Sequence, residues 1–90
     1  MLEDNEVVIY GTTWCGDCFR TRRFFDKYAV HYRWINIDED KSGEQTVLKI
    51  NNGMRSVPTV IFGDGSILVE PSNIAIAQKL GIVLGQSLSL

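Results

Sequence analysis

Short apolar runs rich in β-branched and aromatic residues alternate along the chain with polar or glycine-containing segments. Residues 7–10 form a continuous apolar run, which is typical of a strand covered on both faces. Residues 32–38 are rich in isoleucine and aromatic side chains, and they predict a second strand. Residues 59–62 and 67–69 predict a hairpin, because the glycines and the aspartate of 63–66 tolerate the positive φ of a tight turn.

The segment between the first two predicted strands has the pattern of an amphipathic helix. Residues 16–29 contain no proline and no glycine after Gly16, and their apolar side chains recur at helical spacing. This pattern predicts a helix of about 12 residues. Arg20, Arg23 and Lys27 fall on another face of the helix, which we interpret as a solvated face.

Capping residues and apolar spacing predict two further helices. The second runs from residue 43 or 44 to residue 50, with Ser42 or Asp40 as its N-cap. The third runs over residues 73–80, with Ser72 as its N-cap.

The order of these elements, β-α-β-α-β-β-α, predicts one small α/β domain. Strands joined by a helix are expected to be parallel with a right-handed crossover, whereas the hairpin strands are antiparallel. The expected fold is therefore a mixed four-stranded sheet with helices on both faces. We assign residues 1–82 to this domain and residues 83–90, which show no clear period, to a C-terminal tail.

Composition and charge narrow the class of protein further. The chain has 90 residues, 44% of them hydrophobic, and a net charge of −2, so it is too short for a second domain and too apolar for a disordered chain. The small acidic excess argues against a nucleic-acid partner, and no apolar run is long enough for a membrane span. The acidic start lacks the basic segment of a signal peptide, and two cysteines are too few for a disulfide scaffold. We expect a cytoplasmic monomer.

Two cysteines separated by two residues stand where the first predicted strand is followed by the first helix. Cys15 and Cys18 in this position form a redox signature. The unpaired N–H groups and the positive dipole end of a helix favour a thiolate at Cys15, and a thiolate is the attacking species in thiol–disulfide exchange. Cys18 lies about one turn later and can close a small disulfide ring with Cys15. We therefore assign Cys15 as the nucleophile and Cys18 as the resolving thiol.

Other interpretations of the cysteine pair are weaker. A zinc site needs two further ligands, and only His31 and carboxylates are available, so we predict no metal site. Two buried structural cysteines are disfavoured by the position at a helix start and by the adjacent Trp14. Trp14 either lines a thiol-binding groove or merely covers the helix start, and we favour the groove.

A proline before the third strand marks a second candidate segment. Pro58 cannot donate to a sheet ladder, so its position at a strand start carries meaning. A cis Val57-Pro58 bond would present the backbone of Val57 to an incoming chain, and an ordinary proline at a strand start is the alternative. Arg55 is a candidate partner for a substrate carboxylate, or an ordinary surface charge.

These features together resemble the thioredoxin superfamily, in which a strand, a WCxxC sequence and a helix precede a Val-Pro segment and a hairpin. The short chain with its early first strand is similar to glutaredoxins. Residues 9–16, 52–60 and 64–66, together with Pro71-Ser72, look most like mycoredoxins, the glutaredoxin-like proteins of actinobacteria that work with mycothiol. The resemblance covers residues 6–82.

The resemblance implies a thioredoxin fold with a cis Pro58 and the activity of a thiol–disulfide oxidoreductase. It implies that Cys15 attacks a mixed disulfide between a protein and a low-molecular-weight thiol, mycothiol or glutathione, and releases the protein. A second thiol molecule or Cys18 then resolves the adduct, while the backbone of Val57 holds the cysteine part of the thiol. The implied partners are S-thiolated or disulfide-containing proteins, the small thiol and its NADPH-dependent reductase, with no tightly bound cofactor.

Two departures from the glutaredoxin pattern bear on the choice of thiol. Thr12 stands where many glutaredoxins carry a lysine three residues before the nucleophile. Glu70 stands in the stretch where they carry a Gly-Gly-x-Asp grip on the γ-glutamyl end of glutathione, and its charge would repel a carboxylate there. Mycothiol lacks that carboxylate and is therefore favoured.

Two other functions remain as hypotheses. The second is a redoxin that is reduced directly by thioredoxin reductase and that reduces protein disulfides. The third is a carrier of an iron–sulfur cluster, although the Cys-Gly-Phe-Ser motif typical of such carriers is absent.

Overall fold

A computed structural model describes residues 6–84 of the chain. Within this range, strands and helices occur in the predicted order. The strands are β1 (Val7–Gly11), β2 (Arg33–Asn36), β3 (Thr59–Phe62) and β4 (Ile67–Val69). The helices are α1 (Gly16–Lys27), α2 (Lys41–Ile50) and α3 (Asn73–Leu80).

The four strands form one mixed sheet in the order β2-β1-β3-β4. β1 pairs with β2 in parallel and with β3 antiparallel, and the β3–β4 hairpin is antiparallel. In this register Ile9 lies between Trp34 on one side and Val60 on the other. β1 is a central strand of a sheet with helices on both faces, so both of its faces are covered and its apolar run is continuous. The predicted mixed four-stranded sheet is confirmed.

Helices cover both faces of the sheet, as the sequence predicts. On one face, side chains of β1 and β3 pack against side chains of α1 and α3 to form the main core. Its buried members are Val7, Ile9, Phe24, Phe25, Val60, Phe62, Ile76 and Ala77. On the opposite face, a methyl group added at Gly43 of α2 would lie 2.7 Å from the Cγ2 atom of Ile35. α2 therefore packs directly on β2, and the missing side chain at Gly43 permits this close approach.

The first helix has the predicted length of 12 residues, and its apolar pattern continues for two residues beyond its end. α1 ends at Lys27, and Ala29 adopts a left-handed conformation with a φ of 56°. The N–H of Ala29 donates to the carbonyl of Asp26, and the N–H of Val30 donates to the carbonyl of Phe25. These are the hydrogen bonds of a Schellman motif. Glycine usually holds the left-handed position, so its occupation by alanine conceals the helix end in the sequence.

Local hydrogen bonds also set the other boundaries. α2 begins at Lys41, earlier than predicted, because the Asp40 carboxylate accepts a hydrogen bond from the Gly43 N–H at 2.8 Å. β2 is shorter than predicted because the carbonyl of Asn36 accepts from the N–H of Asp40 and the chain turns there. The predicted Ser72 cap of α3 is confirmed.

The last described residues remain in contact with the core. Ile82 and Leu84 are half-buried against it. The division into a domain of residues 1–82 and a tail of residues 83–90 stays a prediction, because residues 85–90, like residues 1–5, lie outside the described residues. Within the described range, no helix has both the length and the apolar character needed to cross a membrane.

Gly11 provides a test of the close packing between β1 and α1. A methyl group at this position would lie 2.5 Å from the Cys18 sulfur and 2.8 Å from the Trp34 ring. We therefore expect Gly11→Ala to lower the free energy of unfolding by about 1–3 kcal/mol, as measured by chemical denaturation. The control is Gly16→Ala, whose added methyl group meets nothing within 4 Å. An equal loss of stability in the control would contradict the packing explanation.

Candidate active site

Cys15 lies between β1 and α1, where it is the N-cap residue of the helix. Its backbone is extended, with a φ of −91° and a ψ of 116°. Its sulfur accepts a hydrogen bond from the N–H of Cys18 at 3.1 Å. The Cys15 thiol also faces the carbonyl oxygen of Val57, with 3.9 Å between sulfur and oxygen. This half-buried sulfur therefore lies between the N-terminus of a helix and the backbone of a second segment.

Cys18 lies in the first turn of α1 and is fully buried. Burial, together with a hydrogen bond to the Cys15 side chain, raises the pKa of the Cys18 thiol to about 12. A backbone hydrogen bond at Thr12 acts in the opposite direction but does not offset burial. At neutral pH the Cys18 thiol is therefore protonated. The two sulfurs of the motif thus have different environments, one at the surface of a groove and one in the interior.

The segment opposite Cys15 leads into β3. The Val57-Pro58 peptide bond is cis, as expected from the sequence and the resemblance. Pro58 is buried, and its carbonyl oxygen accepts a hydrogen bond from the N–H of Glu70 at 2.8 Å. This bond holds Glu70, which follows β4, against Pro58, which precedes β3. Glu70 therefore lies beside the Val57 backbone.

A groove of about 770 Å³ runs between these segments, with Cys15 on its wall. The side chains that line it include Trp14, Cys15, Met54, Arg55, Val57 and Glu70. Trp14 is 69% exposed and Met54 is 64% exposed, so the groove offers unusual apolar surface beside a sulfur.

The groove brings together four of the six predicted site residues, namely Trp14, Cys15, Arg55 and Val57. The other two, Cys18 and Pro58, are buried. The placement agrees with the interpretation of Trp14 as a groove residue. The binding role of each residue stays a prediction.

A polar network forms part of the groove. The Trp14 Nε1–H donates to the Asp38 carboxylate at 2.8 Å, and the Arg55 guanidinium donates to the same carboxylate at 2.7 Å. The Nε–H of Arg55 also donates to the Glu44 carboxylate at 2.9 Å. The bonds from Arg55 and Trp14 hold the pKa of Asp38 below its usual range, and the carboxylates of Asp38 and Glu44 raise the pKa of Arg55. Acidic side chains of the same chain therefore hold both Trp14 and Arg55.

Sequence reasoning misses Asp38 and Glu44, because acidic residues in a loop and on a helix are ordinary surface features. One signal does point to Asp38. It follows β2 as Trp14 follows β1, and the carboxyl ends of parallel strands meet at one edge of the sheet, where ligands of α/β proteins bind. Met54 is also missed, since a single methionine in a loop carries no pattern. Arg55, which the sequence leaves between a substrate contact and a surface charge, pairs with carboxylates of its own chain.

Arg20 departs from the predicted solvated face of α1. Its guanidinium donates to the side-chain oxygen of Asn73 at 2.6 Å and to the carbonyl of Pro71 at 3.0 Å. It also lies 3.6 Å from the Asp17 carboxylate. The other two basic residues of that face are exposed, as predicted. Arg20 therefore joins the active-site helix to the start of α3.

Metal ligands are the last group of candidate site residues. Residues 6–84 contain no group of three or more histidine, cysteine, aspartate or glutamate side chains that could hold a metal ion. His31, which was considered from the sequence as a further zinc ligand, is exposed between α1 and β2. The absence of a metal site stays a prediction.

The Cys15 sulfur caps α1 and faces a groove, and the Cys18 sulfur lies one helical turn later, which suits thiol–disulfide exchange. Comparison with known proteins places the chain in a family of thiol–disulfide oxidoreductases. The sequence model of the glutaredoxin family matches residues 7–67. A protein of Mycobacterium tuberculosis assigned to the glutaredoxins is 35% identical over 88% of this chain and 94% of its own length. Mycoredoxin 1 of Corynebacterium glutamicum is 32% identical over 84% of this chain and 94% of its own length.

A solved structure agrees with these relatives. The glutaredoxin of Archaeoglobus fulgidus superposes with a TM-score of 0.67 at 27% identity, covering 82% of this chain and 84% of its own. The chain therefore belongs to the glutaredoxin family. The predicted thioredoxin fold, the resemblance to glutaredoxins and mycoredoxins, and the class of thiol–disulfide oxidoreductase are confirmed.

The two thiols are expected to differ in reactivity. In the reduced native protein, we expect iodoacetamide to alkylate Cys15 and to leave Cys18 unmodified at pH 8, because Cys18 is buried and the pKa of its thiol is raised to about 12. Cys18 is expected to react only after unfolding. Mass spectrometry of the intact protein and its peptides measures both sites.

Single-cysteine variants provide the controls for this labelling. Native labelling is expected to disappear in Cys15→Ser and to persist in Cys18→Ser. Modification of Cys18 in the native protein at the rate of Cys15 would contradict the interior environment described for it.

Proposed function

We propose that this protein reduces mixed disulfides between proteins and a low-molecular-weight thiol, with Cys15 as the nucleophile. The observation that carries the proposal is the environment of the Cys15 sulfur. This sulfur caps α1, accepts a hydrogen bond from the N–H of Cys18 and lies on the wall of the groove. A helix N-terminus favours negative charge, and a thiolate is the species that attacks disulfides. Membership of the glutaredoxin family supports the same reaction.

The proposed reaction consists of two exchange steps at Cys15. First, the Cys15 thiolate attacks the small-thiol sulfur of the mixed disulfide, so a disulfide between Cys15 and the small thiol forms while the original bond breaks. The substrate protein leaves as a thiolate and takes a proton from water. Second, the thiolate of another small-thiol molecule attacks the small-thiol sulfur of the adduct, which releases the Cys15 thiolate and a small-thiol dimer. An NADPH-dependent reductase then returns the dimer to two thiols.

The groove is proposed to orient the adduct. The carbonyl of Val57 lies 3.9 Å from the Cys15 sulfur, so backbone polar groups are within reach of the cysteine part of a small thiol. Buried Pro58 holds that backbone in place. The exposed apolar surfaces of Trp14 and Met54 suit the carbon atoms of the bound molecule or of the substrate protein.

The structure favours a small-thiol molecule over Cys18 as the group that resolves the adduct. The attacking species must be a thiolate, and burial, the largest cause of the raised pKa of the Cys18 thiol, disfavours that charged form. Cys18 is also fully buried. We therefore propose a route in which Cys15 is the one indispensable sulfur.

Mycothiol is the small thiol that we propose, with glutathione as the alternative. Two observations support mycothiol: the similarity to mycoredoxin 1, and the presence of Glu70 in the groove. The proposed partners are S-thiolated or disulfide-containing proteins. We also propose that the protein is a monomer and works in the cytoplasm, where thiols are kept reduced.

Serine variants of the two cysteines test the proposed route. In mycothiol-coupled and glutathione-coupled assays, we expect Cys15→Ser to lose all turnover, because it has no nucleophilic sulfur. We expect Cys18→Ser to keep turnover within about threefold of the native protein, because a second small thiol resolves the adduct.

The contrary outcomes of this assay are distinct. An active Cys15→Ser variant would refute the assignment of the nucleophile. Complete loss of activity in Cys18→Ser would establish a route through both cysteines instead. If neither coupled system supports turnover while thioredoxin reductase and NADPH reduce the protein directly, the redoxin hypothesis replaces this proposal.

A further inference from the structure

Among the described residues, the single cation that lines the Cys15 groove is already paired. Arg55 donates to the Asp38 carboxylate at 2.7 Å and to the Glu44 carboxylate at 2.9 Å. These two carboxylates share one guanidinium, and Lys41 approaches Glu44 only from solvent, at 3.8 Å. Arg55 therefore presents no free charge to a carboxylate of a bound ligand.

A cation in the adjoining groove is engaged as well. Arg20 lines that groove together with Glu70. Its guanidinium, however, donates to Asn73 at 2.6 Å and to the carbonyl of Pro71 at 3.0 Å, and it lies 3.6 Å from Asp17. Like Arg55, Arg20 is used in contacts within the protein and has little charge to offer a ligand.

Glu70 is the carboxylate that borders both grooves. Within residues 6–84, no ion pair or hydrogen bond engages its side chain. Its backbone is left-handed, with a φ of 50°, which is a conformation that glycine adopts at far lower cost than glutamate. The bond from its N–H to the Pro58 carbonyl keeps it beside Val57. A charged residue held in a glycine-favouring conformation at a groove points to a functional role.

We infer that Glu70 is a specificity-determining residue that excludes small thiols with a negatively charged body and admits neutral or cationic ones. The inference rests on the proposed function, because it concerns the thiol that becomes joined to Cys15. In that adduct the body of the thiol lies in the groove. A carboxylate there would meet Glu70 without a free cation to offset the repulsion, whereas a hydroxyl or ammonium group would donate a hydrogen bond to Glu70.

The test compares three mixed disulfides of one neutral peptide, which carry glutathione, 2-mercaptoethanol or cysteamine. The bodies of these small thiols are anionic, neutral and cationic. Each disulfide is mixed with the reduced protein, and release of the peptide thiol in a single turnover is followed by quenched flow and mass spectrometry. Intrinsic reactivity cancels, because variants are compared on the same disulfides.

Glu70→Gln removes the charge and keeps the size of the side chain. We expect it to raise the rate with glutathione roughly fivefold relative to the rate with 2-mercaptoethanol, and to lower the relative rate with cysteamine. Added salt is expected to reduce the difference between the native protein and this variant, because exposed charges are screened. Glu70→Gly is expected to show the same kinetic shift and to raise the midpoint of thermal unfolding by a few degrees.

Asp26→Asn is the matched control, because it changes the net charge by the same amount at an exposed position of α1 outside the Cys15 groove. An unchanged ratio of the glutathione and 2-mercaptoethanol rates in Glu70→Gln, or an equal rise of that ratio in Asp26→Asn, would overturn the inference about Glu70 and leave the proposed function intact. Failure of the native protein to react with any of the three disulfides would overturn the proposed function, and the inference with it.

Discussion

The N-terminus of α1 faces the segment that leads into β3, and the Cys15 sulfur lies between them. This placement depends on close packing behind the sulfur, where Gly11 has no side chain and Cys18 fills the space against β1. The same turn of helix therefore creates two different thiols. One accepts a backbone hydrogen bond at the surface of a groove, and the other is buried with a raised pKa.

The charged side chains of the groove are the second constraint on the surroundings of Cys15. In many small-molecule sites an arginine beside the groove would attract carboxylates. Here Arg55 is bonded to Asp38 and Glu44, so its role is to hold the Trp14 edge of the groove in place. The contact also lowers the pKa of Asp38, which keeps that carboxylate charged and bonded down to acidic pH. The groove thus combines the exposed apolar surfaces of Trp14 and Met54 with the carboxylate of Glu70, and the proposed preference for a neutral thiol rests on this combination.

Much of the fold was predictable because its signals are local. The hairpin strands and α3 were predicted with the observed bounds, since a Gly-Asp-Gly turn and a serine cap act within a few residues. Cys15 and Cys18 were recognisable for the same reason, as their spacing and their position before a helix are sequence features. The length of α1 was predicted, but the left-handed residue that ends it was not, because Ala29 occupies a position at which glycine is the usual signal.

The sequence by itself determined the order of elements, the two cysteines and the position of Pro58, because periodicity, capping and backbone restriction are encoded by neighbouring residues. Only the tertiary structure decided that Arg55 pairs with Asp38 and Glu44, which come from other elements of the chain. It also decided that Glu70 lines the same groove as Cys15, through a hydrogen bond from the Glu70 N–H to the carbonyl of Pro58. Such contacts depend on where the sheet brings distant residues together, and no local pattern specifies that.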